Sequence, residues 1–121
     1  MKLYYSPGAC SLSPHIVALE AGIPLELKKV DLAAKKLEDG SDYKAVNPKG
    51  YVPALEVSPG KVLTEGPAIV QYLADQKPDS GLAPKNGTWE RYQLQEALNF
   101  VTSELHKGIG GLFNPAVTPE W

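Results

Sequence analysis

Apolar and polar residues change their spacing along this chain, and each change marks an element. Residues 2–5, Lys-Leu-Tyr-Tyr, read as a short strand. Residues 11–22 switch to helical spacing, with Leu12, Ile16, Leu19 and, more loosely, Val17 on the apolar side. Gly22 and then Pro24 end that helix. Leu25–Val30 alternate again and predict a second strand. A strand, a helix and a strand in this order imply a parallel crossover. Residues 31–50 lose the pattern. They read as a polar connector with one or two irregular helical turns, the kind of segment in which binding loops sit. Ala54–Val57 and Val62–Thr64 flank the turn Ser58-Pro59-Gly60-Lys61 and predict an antiparallel hairpin. A helix then starts at Thr64-Glu65-Gly66-Pro67, where Thr64 or Glu65 stands near the cap. It turns Ile69, Val70, Tyr72 and Leu73 inward and ends near Lys77-Pro78. The predicted order is β-α-β, connector, β-β-α.

Residues 78–87 are rich in Pro and Gly and read as a linker. Thr88 caps a long helix from Trp89 to about Lys107, with Ala97, Leu98, Val101 and Leu105 as its apolar stripe. From Gly108 the pattern loosens through Pro115 to Pro119-Glu120-Trp121. One helix cannot bury its own stripe, so residues 88–121 read as the incomplete start of an all-α domain, after a first domain at 1–77.

Composition narrows the classes. With 43% hydrophobic and 21% charged residues, the 121-residue chain has the make-up of a soluble globular protein. A net charge of −2 argues against nucleic acid and anionic membrane as partners. No apolar run reaches the length of a membrane helix. The N-terminus enters a strand without a signal core, and the single cysteine cannot form an internal disulfide, so a reduced, cytoplasmic setting is expected. Without a Cys/His cluster, no metal site is expected.

That cysteine is the first candidate for chemistry. Tyr4-Tyr5-Ser6-Pro7-Gly8-Ala9-Cys10 leaves the first strand and delivers Cys10 to the mouth of a helix that Ser11 or Ser13 can cap. Unpaired N–H groups and the helix dipole favour the thiolate there. Asn47-Pro48-Lys49-Gly50-Tyr51-Val52-Pro53 is dense in turn signals, and Pro53 is either an edge-strand opener or a cis proline. Glu65-Gly66 stands at a helix N-terminus, as a plain cap, as a holder of charged groups, or as both at once. Asn99, Ser103 and His106 fall at i, i+4 and i+7, on one helix face, with Glu104 beside it.

Taken together, these features resemble the glutathione transferases, with a thioredoxin-like α/β domain (βαβ-ββα, mixed four-stranded sheet) preceding helices. The motifs Lys2–Ser11, Asn47-Pro48-Lys49-Gly50, Leu63-Thr64-Glu65-Gly66 and Leu105-His106-Lys107 are similar to the bacterial beta class, in particular to enzymes of aromatic-pollutant degradation operons. The family continues for several more helices, so a C-terminally truncated chain is expected.

The resemblance implies glutathione as co-substrate, a small hydrophobic electrophile as its partner, and a homodimer. Ala9, Cys10, Val52 and Pro53 would contact glutathione, with the Val52 main chain pairing with its cysteinyl part in the manner of an added strand. Glu65 would take the ammonium group and the Gly66 N–H a carboxylate. Lys35 and its neighbour Lys36 are equivalent on residue type, and the resemblance selects Lys35 for the glycyl carboxylate. It also brings Asn99, Ser103, Glu104 and His106 to glutathione, partly across a dimer interface. His106 is then the candidate proton acceptor or donor at sulfur, and His15 is structural. Tyr4, Tyr5 and Ser11 are rival hydroxyl donors, of which Tyr5 and Ser11 rank directly after Cys10. Cys10-Ser11-Leu12-Ser13 lacks a resolving cysteine, so a mixed disulfide at Cys10 needs a second glutathione to reduce it. Two other readings compete: a glutaredoxin-like thiol-disulfide reductase, and a glutathione-binding protein without turnover.

Overall fold

The computed structural model describes residues 1–113 and 116. They form two compact units, Met1–Ala83 and one beginning at Pro84. The first holds a five-stranded mixed sheet in the order β3-β2-β1-β4-β5, formed by β1 (Lys2–Tyr5), β2 (Glu26–Asp31), β3 (Lys36–Leu37), β4 (Ala54–Ser58) and β5 (Lys61–Thr64). β1 runs parallel to β2, Leu3 opposite Leu27, and antiparallel to β4, Leu3 opposite Leu55. β4 and β5 form the predicted hairpin, with a bulge between Glu56 and Ser58. The thioredoxin-like class holds, with one strand more than the four expected. The polar connector supplies it: Val30 and Asp31 pair with Leu37 and Lys36, and only Tyr43–Ala45 makes a 3-10 turn.

Side chains of a strand alternate between faces, so Leu3 and Tyr4 point to opposite sides of the sheet. Leu3 and Leu55 pack against Ala18 of α1 (Leu12–Glu20) and Ile69 and Leu73 of α2 (Gly66–Asp75). Tyr4, Val30 and Ala54 pack on the other side against Tyr43 and Val52. The predicted inner face of α1 is corrected. Leu12, Ile16 and Leu19 are 59%, 48% and 67% exposed, and Pro14 and Ala18 are buried instead. Ala18 takes the inward face, where α1 packs against the sheet and α2 beside Leu3, Leu55, Ile69 and Leu73.

In the second unit, Thr88 caps α3 (Trp89–Phe100) by accepting from the Arg91 N–H, as expected. The helix then widens into a π-helical stretch, Val101–His106. It continues through α4 (Lys107–Gly110) and a 3-10 turn, Gly111–Phe113, so the loosening expected at Gly108 is not observed. Of the expected stripe, Ala97, Val101 and Leu105 are exposed and Leu98 is half-buried. Pro115 and Pro119–Trp121 lie outside the described residues. No described helix is long and apolar enough to cross a membrane.

Candidate functional site

β1 delivers the chain into a tight turn at its C-terminal end. The Ser11 hydroxyl accepts from the Ser6 N–H at 3.1 Å and donates to the Ser6 carbonyl at 3.2 Å. Ser11 is buried and makes no helix cap, so its expected roles as cap and hydroxyl donor give way to closing this turn. Ser13 does not cap either. Ala9 packs beneath the turn, and Cys10, one residue before the cap position, is exposed. Its Sγ donates to the Val52 carbonyl at 3.3 Å.

Tyr4 is removed from the rivals. Its hydroxyl reaches back along β1 and donates to Glu56, the partner of Lys2 in both sheet register and ion pair. Burial first, then the Glu56 carboxylate, pushes the phenol up to about 12. The Gly60 N–H first, then Lys2 and Tyr4, hold the Glu56 carboxyl below its usual range. Tyr5 is half-buried, points to the face opposite Tyr4, and makes no hydrogen bond to Cys10 among the described residues.

Residues 47–53 form the hub of the first unit. The buried Asn47 side chain donates to the Tyr51 carbonyl at 2.8 Å and accepts from the Lys49 N–H. The buried Tyr43 hydroxyl donates to the same Tyr51 carbonyl at 2.7 Å. The Val52–Pro53 bond is cis, which resolves the two alternatives for Pro53. Three site residues meet this loop. Cys10 meets it at Val52. Lys35 donates from Nζ to the Gly50 carbonyl at 3.0 Å and lies 5.7 Å from the centre of the Tyr51 ring. Glu65 meets it through Lys49, with Nζ 3.5 Å from Oε1.

Sequence spacing could not separate Lys35 from Lys36, but the backbone does. Asp31 accepts from the Ala33 and Ala34 N–H groups, which hold its carboxyl below its usual range. This turn leads to Lys35 at φ 56°, aimed at the hub, whereas Lys36 is exposed on β3. Glu65 stands at φ 74° at the cap position of α2 without a side-chain cap bond. Gly66 opens the helix behind it. Lys35 and Glu65 are the two residues other than glycine with positive φ among those described.

In the second unit, Glu96, Asn99, Phe100, Ser103 and Glu104 border one open stretch of the helix surface. The Ser103 hydroxyl donates to the Asn99 carbonyl at 2.9 Å. His106 is exposed. The i, i+4, i+7 spacing assumes 3.6 residues per turn, whereas Val101–His106 follow a wider π turn.

Sequence reasoning missed Tyr43, Asn47 and Lys49 as parts of this arrangement. Asn47 was legible only as a turn residue. The available signal was an aromatic phenol, Tyr43, inside an otherwise polar connector.

A family profile described as "Glutathione S-transferase, N-terminal domain" matches residues 8–76. Glutathione S-transferase GstA of Escherichia coli O157:H7 is 54% identical over 120 residues, covering 99% of this chain and 59% of that protein. A bacterial beta-class glutathione S-transferase of Sphingomonas chungbukensis is 56% identical, with a TM-score of 0.91 over 95% of this chain and 57% of that one. A sphingomonad glutathione S-transferase solved in complex with glutathione is 55% identical, with a TM-score of 0.92 over 97% and 58%. The chain thus spans a little under 60% of the length of these relatives. On this evidence the chain belongs to the glutathione S-transferase family and resembles its bacterial beta class.

Proposed function

We propose that this chain is the glutathione-binding part of a cytoplasmic, homodimeric transferase that presents the thiolate of glutathione to hydrophobic electrophiles. The observation that carries the reading is the convergence of Cys10, Lys35 and, through Lys49, Glu65 on the loop that ends in Val52–Pro53. In this reading the cysteinyl part of glutathione lies along Val52, between Ala9–Cys10 and Pro53, as a short added strand. Lys35 takes the glycyl carboxylate. Glu65 takes the ammonium, and the Gly66 N–H the neighbouring carboxylate. The family resemblance assigns Asn99, Ser103 and Glu104 to glutathione as well, and gives His106 the proton at sulfur. Tyr5 remains the alternative hydroxyl.

The exposed Cys10 favours a second activity. A Cys10 thiolate attacks the glutathione sulfur of a mixed disulfide R–S–S–glutathione, forming Cys10–S–S–glutathione and releasing the thiolate R–S⁻. A second glutathione thiolate then attacks the Cys10 mixed disulfide, regenerating Cys10 and glutathione disulfide. Ser13 cannot resolve it.

Turnover of a chromogenic aryl halide, retention on a glutathione resin and intact-protein mass after exposure to glutathione disulfide test the reading. Turnover and one added glutathione are expected, with the adduct absent in Cys10→Ala. His106→Ala should lower kcat more than it raises KM. Retention without turnover would leave a binding protein. Disulfide exchange without conjugation would leave a glutaredoxin-like reductase.

A further inference from the structure

Resting on the glutathione reading, we infer that Tyr43 and Asn47 are positioning residues that aim the Val52 N–H at the bound peptide. The Tyr51 carbonyl and the Val52 N–H belong to one peptide unit. That unit is trans, since the cis bond follows it at Val52–Pro53. In a planar trans peptide the C=O and N–H point in opposite directions. The Tyr51 carbonyl is held by two donors, the Tyr43 hydroxyl at 2.7 Å and Asn47 Nδ2 at 2.8 Å, both from buried side chains. The Val52 N–H is therefore turned away from them, and it finds no acceptor among the described residues. Unpaired backbone donors are rare in folded chains, and this one belongs to the residue whose carbonyl accepts from Cys10.

The arrangement is fixed from several sides. Tyr43 packs against Tyr4 at 5.6 Å between ring centres, and its own N–H donates to the Lys35 carbonyl. Asn47 also accepts from the Lys49 N–H, and the Gly50 N–H donates to the Asn47 carbonyl. A carbonyl that accepts two hydrogen bonds also polarises its peptide unit, which makes the N–H at the far end a better donor. Neither side chain touches the ligand. They keep one peptide plane from rotating, so the acceptor carbonyl of the bound peptide meets a donor already oriented.

The test uses S-methylglutathione, whose blocked sulfur cannot exchange with Cys10. Tyr43→Phe and Asn47→Asp each remove one donor with little change of shape. Each should raise Kd by about two- to tenfold, the worth of one hydrogen bond. In ¹⁵N-resolved spectra, the Val52 amide proton should shift downfield on saturation of the wild type and shift less in each variant. Loss of packing alone would not change that response. In the wild type, Val52 amide exchange should be fast without ligand and slowed with it, a measurement that stands if a variant fails to fold. Wild-type Kd in both folded variants, an unchanged amide response, or a Val52 amide already protected in the free protein would overturn the inference alone. A wild type that does not bind S-methylglutathione overturns the glutathione reading and this inference with it.

Discussion

Glu65 holds a conformation that costs a residue with a β-carbon about 1–3 kcal/mol. Glycine would relieve that cost and lose some of it to the freer unfolded chain. Glu65→Gly is therefore expected to stabilise the protein by about 1 kcal/mol, raising the melting temperature by a few degrees, while weakening retention on a glutathione resin. A fall in both would mean that Glu65 serves the fold rather than the ligand. Gly50 presents the opposite case. It sits at φ +69°, and an added β-carbon would stand 3.2 Å from Lys35 Cδ. Gly50→Ala should cost about 1–2 kcal/mol and displace the lysine from the loop. The residue types of the site were legible in the sequence, but their backbone states were not. Nothing in Thr64-Glu65-Gly66 announces that Glu65 rather than Gly66 takes the positive φ. Tyr4 adds a pH signature. A phenol raised from 10 to about 12 in the folded state contributes stability that is fully present below pH 10 and lost as pH rises through 12. Denaturant midpoints between pH 9 and about 12 should fall less steeply in Tyr4→Phe than in the wild type.

Among the elements, the turn between β1 and α1 was only half legible. Tyr5-Ser6-Pro7-Gly8 marked it correctly, but Ser11 and Ser13 looked equivalent because both types cap helices. Only packing distinguishes them. Ser11 is buried and satisfies both main-chain groups of Ser6, whereas Ser13 is exposed. Ser11→Ala should cost about 1–3 kcal/mol in chemical denaturation by leaving the Ser6 N–H unpaired, since the Ser6 carbonyl keeps the Ala9 N–H. Ser13→Ala should stay within about 0.5 kcal/mol of the wild type. Equal effects would mean that the hydroxyl of Ser11 does not hold the turn. The hairpin and α2 were legible because Ser58-Pro59-Gly60-Lys61 and Gly66-Pro67 signal locally. β3 was hidden, because a two-residue strand carries no period. The π turn was hidden because widening a helix leaves its residues with ordinary helical preferences. Its only local trace is the pair Thr102–Ser103, whose hydroxyls donate to the carbonyls of Leu98 and Asn99.

For the whole molecule, the order of the strands and helices other than β3 followed from the pattern of residues 1–75. What the pattern could not give is which apolar groups stay outside. Leu12, Ile16 and Leu19 do so in the first unit, and Phe100, Val101 and Leu105 in the second. If two copies associate as proposed, sedimentation should show a dimer that dissociates on dilution, and Phe100→Glu should shift it toward the monomer. The short β3 has a different consequence. It covers only Val30 and Asp31 of β2, so the outer edge of Glu26-Leu27-Lys28-Lys29 is left without a neighbouring strand. Such an edge is a template on which further chains can stack, yet here it carries three charges in four residues, with Lys28 paired to Glu26 at 2.6 Å. Those charges act as a guard against fibril growth, so the identity of these residues bears on how long the protein survives at high concentration.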